Sequence, residues 1–170
     1  FSNDYLRCNR RNNLCSFTMS LKSQDLFNVS NKVVVVTGGS RGIGEMITSG
    51  FLANKSKVYI TARKEEALVK KAEELSQKYD CECIPISGDI SNTEGIDALV
   101  KFLNDAEPGG IDYLINNAGA AWGANYDDFP ESGWDKVMDL NLKTPFFLTQ
   151  KLTPLLEKKG TCLLYTSPSP

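Results

Sequence analysis

Apolar and polar positions along the chain switch repeatedly between two periods. Val33-Val34-Val35-Val36 is a short unbroken β-branched run, the pattern of a strand buried on both faces. It runs into the octet Thr37-Gly38-Gly39-Ser40-Arg41-Gly42-Ile43-Gly44. From there Ile43, Ile47 and Phe51 recur every fourth position, which predicts a helix with that face on a sheet. Lys57–Ala62 predicts a second strand with Val58 and Ile60 on one face. Glu65–Tyr79 predicts a helix striped by Leu68, Ala72, Leu75 and Tyr79. Cys81–Ser87 predicts a third strand, and Pro85, which cannot donate to a ladder, places it at an edge. Ser91-Asn92-Thr93-Glu94 fits a capping box ahead of Ile96, Leu99, Val100 and Leu103. Ile111–Ile115 is a fourth strand. Glu131–Lys158 reads as one long helix with Trp134, Val137, Met138, Asn141, Leu148 and Leu152 on one stripe. Asn141 on that stripe demands hydrogen-bond partners, and Pro145 should kink the helix or free a carbonyl.

Strands alternating with helices define an α/β chain with a parallel sheet. The expected strand order 3-2-1-4 puts the third strand at an edge, in agreement with Pro85. In such sheets ligands bind at the carboxyl ends of the strands. The octet lies at one such end. Glycine permits a sharp turn and close approach of the backbone to a ligand. The helix that follows offers unpaired N–H groups and a partial positive charge. Strand, glycine turn and helix together suit a phosphate or pyrophosphate. The spacing G-x-x-x-G-x-G differs from G-x-G-x-x-G, and no Gly-Lys-Ser/Thr follows as in a nucleotide-triphosphate loop.

Composition narrows the chemistry. The chain has 170 residues, one domain's worth, with 41% hydrophobic and 24% charged residues. A net charge of −2 gives no bulk reason for nucleic acid or an anionic membrane as partner, and no run approaches a membrane span. There is no histidine, so a Ser-His-Asp or Cys-His nucleophile and a His-ligated metal within this chain are excluded, and no metal site is expected. The five cysteines form neither a zinc pattern nor a disulfide framework, which fits a reducing compartment. Cys81 and Cys83 share a face of the expected third strand.

The octet, as T-G-x-x-x-G-I-G, resembles the short-chain dehydrogenase/reductase family, and Asn116-Asn117-Ala118-Gly119 after the fourth strand is a second element of that resemblance. Asp139-Leu140-Asn141-Leu142 resembles the family's V-N-L segment. The resemblance spans Lys32 to about Lys159. It implies a Rossmann doubly wound sheet, here ending after about the fourth or fifth strand. It also implies hydride transfer between a nicotinamide and a carbonyl or alcohol substrate, with 3-oxoacyl-thioester reductases of the acyl-carrier-protein type closest in character. The cofactor-binding set expected is Gly38, Ser40, Arg41, Gly42, Ile43, Gly44, Arg63, Asp89, Ile90, Asn116, Ala118 and Gly119. Asn141 takes the place of the family Asn that holds a proton-relaying water. Where an acid about twenty residues after the glycine turn would bind the ribose 2′-OH of NAD, this chain has Arg63 and Lys64, with Arg41 in the turn. Paired guanidinium hydrogen bonds suit a 2′-phosphate, so NADP(H) is the expected cofactor. Asp89 reads equally as an acceptor for an adenine amino group or as a turn residue. Trp122, Tyr126 and Phe129 line a substrate cleft or merely cover the core.

The catalytic Tyr and Lys of the family, four residues apart, are not found. Tyr165 is followed at that distance by Ser169, and Ser167 could align with the catalytic Ser only by register. The domain reading is therefore a leader or extension at 1–18, an incomplete Rossmann domain at 19–160 and an off-pattern tail at 161–170. A cytoplasmic location is expected, or a mitochondrial one if the Arg-rich, acid-poor 1–18 is a presequence. The full-length protein is expected to be a homo-oligomer. The alternative function is a non-catalytic nucleotide-binding or regulatory Rossmann protein.

Overall fold

Alternation along the first strand decides which layer each helix joins. In the computed structural model, which describes residues 27–158 and the backbone of 161–164, β1 (Val33–Thr37) is buried throughout. Successive side chains of a strand point to opposite faces. Val33 and Val35 accordingly enter one apolar cluster with Leu99, Leu103, Leu148 and Leu152. Val34 and Val36 enter the other with Leu52, Val58, Ile60, Leu68 and Leu75. Burying a valine contributes about 1.5–3 kcal/mol relative to leaving it in water, so β1 alone fixes both layers.

The remaining elements are α1 (Gly42–Ala53), β2 (Lys57–Ala62), α2 (Glu65–Tyr79), β3 (Cys83–Ser87), α3 (Thr93–Ala106), β4 (Tyr113–Asn116), α4 (Glu131–Met138), a π-helical turn (Asp139–Lys143), α5 (Thr144–Leu156) and β5 (Thr161–Leu164). The sheet runs β3-β2-β1-β4-β5, and every pairing is parallel. β3 is at the edge, with Pro85 opposite Ile60. Helices α1 and α2 cover one face; α3 and α5 cover the other. This is a Rossmann-type doubly wound sheet. β5 pairs Asn116 with Leu164, so a fifth parallel strand opens the segment expected to be off-pattern.

Several expectations shift. The sheet-facing residues of α1 are Gly44, Thr48 and Leu52, one position on from the predicted stripe. Ile43 is 44% exposed, while Ile47 and Phe51 pack only partly. The cause is the crowding of the turn: a Cβ on Gly44 would collide with the Gly38 carbonyl oxygen, so the helix brings its smallest residue against the sheet. α3 is capped by Asn92, whose Oδ1 accepts from Gly95 N at 2.8 Å, one residue after the Ser91 of the expected box. β3 starts at Cys83, and Cys81 lies before it, with its thiol donating to Ser56 O at 3.0 Å. Burial pushes the Cys83 thiol up to about 12, followed by the neighbouring Cys81. The long helix is broken into α4 and α5 by the π-helical turn. Trp134, expected on the buried stripe, is 59% exposed, and Gly133 takes the buried position. The expectations for 1–18, Tyr165 and Ser167 lie outside the described residues.

Candidate functional site

At the carboxyl ends of the strands lies a cavity of about 1130 Å³. Its floor is the glycine turn. Gly38 and Gly42 have φ of +68° and +55°, the left-handed region that glycine enters without strain. A Cβ on Gly42 would meet nothing within 4 Å, so its requirement is conformational. A Cβ on Gly38 would lie 3.2 Å from Asn117 Nδ2 and from Ala118 Cα, so its requirement is also one of space. α1 begins after Arg41, whose backbone is extended, and no side chain caps it.

Thr37 and Asn117 hold the turn to the end of β4. The Thr37 hydroxyl, 2% exposed as a residue, donates to Ile115 O at 3.3 Å. It accepts from Asn117 N at 3.0 Å and from Ala118 N at 2.9 Å. The Asn117 side-chain amide donates to Thr37 O at 2.9 Å and Gly38 O at 3.3 Å. Of the two adjacent asparagines, Asn117 therefore ties the strands together. Asn116 turns its amide to Thr149 Oγ1 on α5 at 3.2 Å.

The charges in the wall are lopsided. Arg41, Arg63, Lys64, Lys71 and Lys136 line the cavity against Asp89 and Asp139, five cations to two carboxylates in a chain of net charge −2. Lys71 is held by Glu74 Oε2 at 2.9 Å and then by Glu45 Oε1 at 3.1 Å, which raises its pKa. The Asp89 carboxylate is held below its ordinary range by Ser91, whose backbone N–H donates at 3.1 Å, and by the charge of Arg63.

Beyond the turn, Asn141 closes the cavity. Its Oδ1 accepts from Ala120 N at 2.7 Å and its Nδ2 donates to Ala120 O at 2.8 Å. These are the partners that a polar residue in that helix required, but Asn141 is exposed and sits on the π-helical turn, not on a buried stripe. Thr144, 2% exposed, holds this turn against β3's exit: its hydroxyl lies 2.6 Å from Ile90 O and 2.9 Å from Asp139 O, and one proton serves both carbonyls. Of the residues predicted for the site, all but Gly42 line the cavity. Ile90 does so while 7% exposed and packed in the core, and Ile43 from a half-exposed position. Thr37, Asn117, Lys71 and Thr144 were missed. Thr37 and Asn117 were inside quoted motifs, yet their partners come from strands about eighty residues apart; Lys71 and Thr144 carried no local signal.

Fold and cavity define an α/β protein of the Rossmann type with a cationic, glycine-floored site at its strand ends. Residues 32–167 match the family model described as short chain dehydrogenase, and the chain belongs to the short-chain dehydrogenase/reductase family. It is similar to the rhamnolipids biosynthesis 3-oxoacyl-[acyl-carrier-protein] reductase of Pseudomonas aeruginosa, with 42% identity over 79% of this chain and 52% of that protein. Among solved structures, the Pseudomonas aeruginosa RhlG/NADP active-site complex superposes with a TM-score of 0.74 at 41% identity, covering 79% of this chain and 52% of that one. The L-sorbose reductase of Gluconobacter frateurii, complexed with NADPH and L-sorbose, gives 0.75 at 28% identity, with the same two shares of 79% and 52%. The chain thus spans about half the length of the curated relatives it matches.

Proposed function

We propose that this chain is the dinucleotide-binding part of an NADP(H)-dependent oxidoreductase acting on a small carbonyl or alcohol, of the 3-oxoacyl-[acyl-carrier-protein] reductase kind. The observation that carries it is the cationic wall: Arg41 and Arg63 line one cavity, and no carboxylate occupies the end of β2. The residues fit the group. Gly38, Gly42 and Gly44 keep the turn free of Cβ atoms, and the uncapped start of α1 offers N–H donors to the diphosphate. Arg41 and Arg63 would grip the 2′-phosphate, and Asp89 would accept from the adenine amino group. Ile90, Asn116, Ala118 and Gly119 would shape the wall towards the nicotinamide. Asn141 would keep the place of the relayed water while its amide stays fixed to Ala120. When bound, the nicotinamide supplies or accepts the hydride. The exposed Leu142, Phe146 and Phe147 of the turn and α5 support a homo-oligomer. No described helix is long and apolar enough to cross a membrane.

The 170 residues contain no Tyr followed four positions later by Lys. The chain as it stands is therefore expected to bind cofactor without turning substrate over. Calorimetric titration should show NADPH binding more tightly than NADH. Arg63→Ala should raise the NADPH Kd about tenfold or more, the worth of a charged hydrogen bond of about 1.5–3 kcal/mol, and leave NADH nearly unchanged. Equal affinities in the unaltered chain would refute the 2′-phosphate assignment. Steady-state NADPH oxidation with a 3-oxoacyl thioester would refute the expectation of inactivity.

A further inference from the structure

β3 is the outer strand of the sheet and pairs with β2 along one edge only. The N–H and C=O groups of a strand turn to its two edges at alternate residues. Glu82 O accepts from Val58 N at 2.9 Å, and Gly88 N donates to Ala62 O at 3.1 Å, so the even-numbered residues of this segment face β2. Cys81, Cys83, Pro85 and Ser87 therefore face outward, where a further strand could add.

Three of these four positions are closed. Ser76, in the last turn of α2, closes two of them. Its carbonyl accepts from Cys81 N at 3.3 Å, and its hydroxyl accepts from Cys83 N at 3.0 Å. The same hydroxyl donates to Cys83 O at 3.3 Å, so the outward acceptor of Cys83 is engaged as well. Pro85 has no N–H to give. Only at Ser87, the exposed last residue of the strand, is neither closure present.

The strand's own sequence makes that closure matter. Cys83-Ile84-Pro85-Ile86-Ser87 carries no charge, and both isoleucines are β-branched. A short uncharged window of high strand propensity pairs readily with copies of itself, and a proline within it breaks that tendency. Charged side chains commonly protect a sheet edge. β3 has none, which leaves the task to a proline and to a serine on the neighbouring helix.

We propose that Ser76 and Pro85 keep the outer edge of β3 closed to the same strand of a second copy of this chain. The device is independent of the oxidoreductase reading, because neither residue lines the cationic cavity.

The 170-residue chain is compared with Ser76→Ala/Pro85→Val by sedimentation equilibrium over a range of concentrations, with hydrogen exchange to locate the contact. The variant should have a weight-average mass about twofold or more above that of the unaltered chain at equal concentration, as two edges pair. Exchange should slow at the amides of 83–87. Adding Ser87→Pro, which removes the remaining outward N–H, should return the mass to that of the unaltered chain. β5, at the other edge of the sheet, is the same in all of these chains, so its contribution cancels. Should the double variant not fold, Pro85→Val alone decides, because it leaves both Ser76 contacts in place and must still associate more than the unaltered chain. Equal masses for a folded variant overturn the proposal. So does association that persists with Ser87→Pro, or that slows exchange at 161–164 and not at 83–87.

Discussion

At the scale of single residues, Thr37 has the most consequential hydroxyl in the molecule. It ends a run of four valines and is the first polar atom the chain offers at the strand ends. Two backbone N–H groups from the β4 exit converge on it, and its own proton goes to Ile115 O. Thr37→Val keeps the shape and removes the acceptor, leaving two inward donors without it. Unmade buried hydrogen bonds cost about 1–3 kcal/mol each. Urea unfolding should show a loss of at least about 1 kcal/mol for Thr37→Val and much less for Thr37→Ser. The Val variant should also loosen NADPH binding, because Asn117 and Ala118 border the cavity.

At the scale of elements, apolar periodicity located each strand and helix to within a few residues, and it failed where backbone geometry overrode side-chain pattern. The α1 stripe slipped by one position because Gly44 must pass the Gly38 carbonyl. The helix over 131–158 broke because Pro145 has no N–H to bond the carbonyl four residues earlier, which is Asn141. Pro145 is expected to kink the helix or free a carbonyl, but the apolar stripe across it conceals that α4 and α5 face different surroundings. Leu148 and Leu152 reach the core, whereas Trp134 is exposed. Thr144 fixes the break by reaching Ile90 O on the strand side. Thr144→Val should therefore lower stability by about 1–3 kcal/mol, with Thr144→Ser close to the unaltered chain, in the same urea measurement. Hydrogen exchange should localise the effect to the amides of 139–144.

At the scale of the whole molecule, the chemistry sits at one end of the sheet and a charged brace lies away from it. Tyr59, 1% exposed, donates to Glu107 Oε1 at 2.7 Å, and the Lys57 ammonium meets the same oxygen at 2.9 Å. Burial first, then the Glu107 hydrogen bond, raises the Tyr59 phenol from 10.0 to about 12. Lys57 is raised as well, chiefly by Glu107. Both groups are protonated more readily in the folded state, so the stability they contribute is complete below about pH 10 and drains as pH rises towards 12. Urea midpoints measured across that window should fall, and Tyr59→Phe should flatten the fall. None of this brace was legible in the sequence, because Glu107 is forty-eight residues from Tyr59 and belongs to no motif. The site was more legible than the brace for a physical reason. Close backbone approach to a ligand demands glycine at fixed spacing, whereas an ion pair can be met by many residues at many places.

The reciprocal pair of hydrogen bonds between Asn141 and Ala120 joins two parts that the chain keeps twenty-one residues apart. One is the π-helical turn between α4 and α5; the other is the rim of the cationic cavity. Through this rivet, a force that bends α4 against α5 also pulls on the rim.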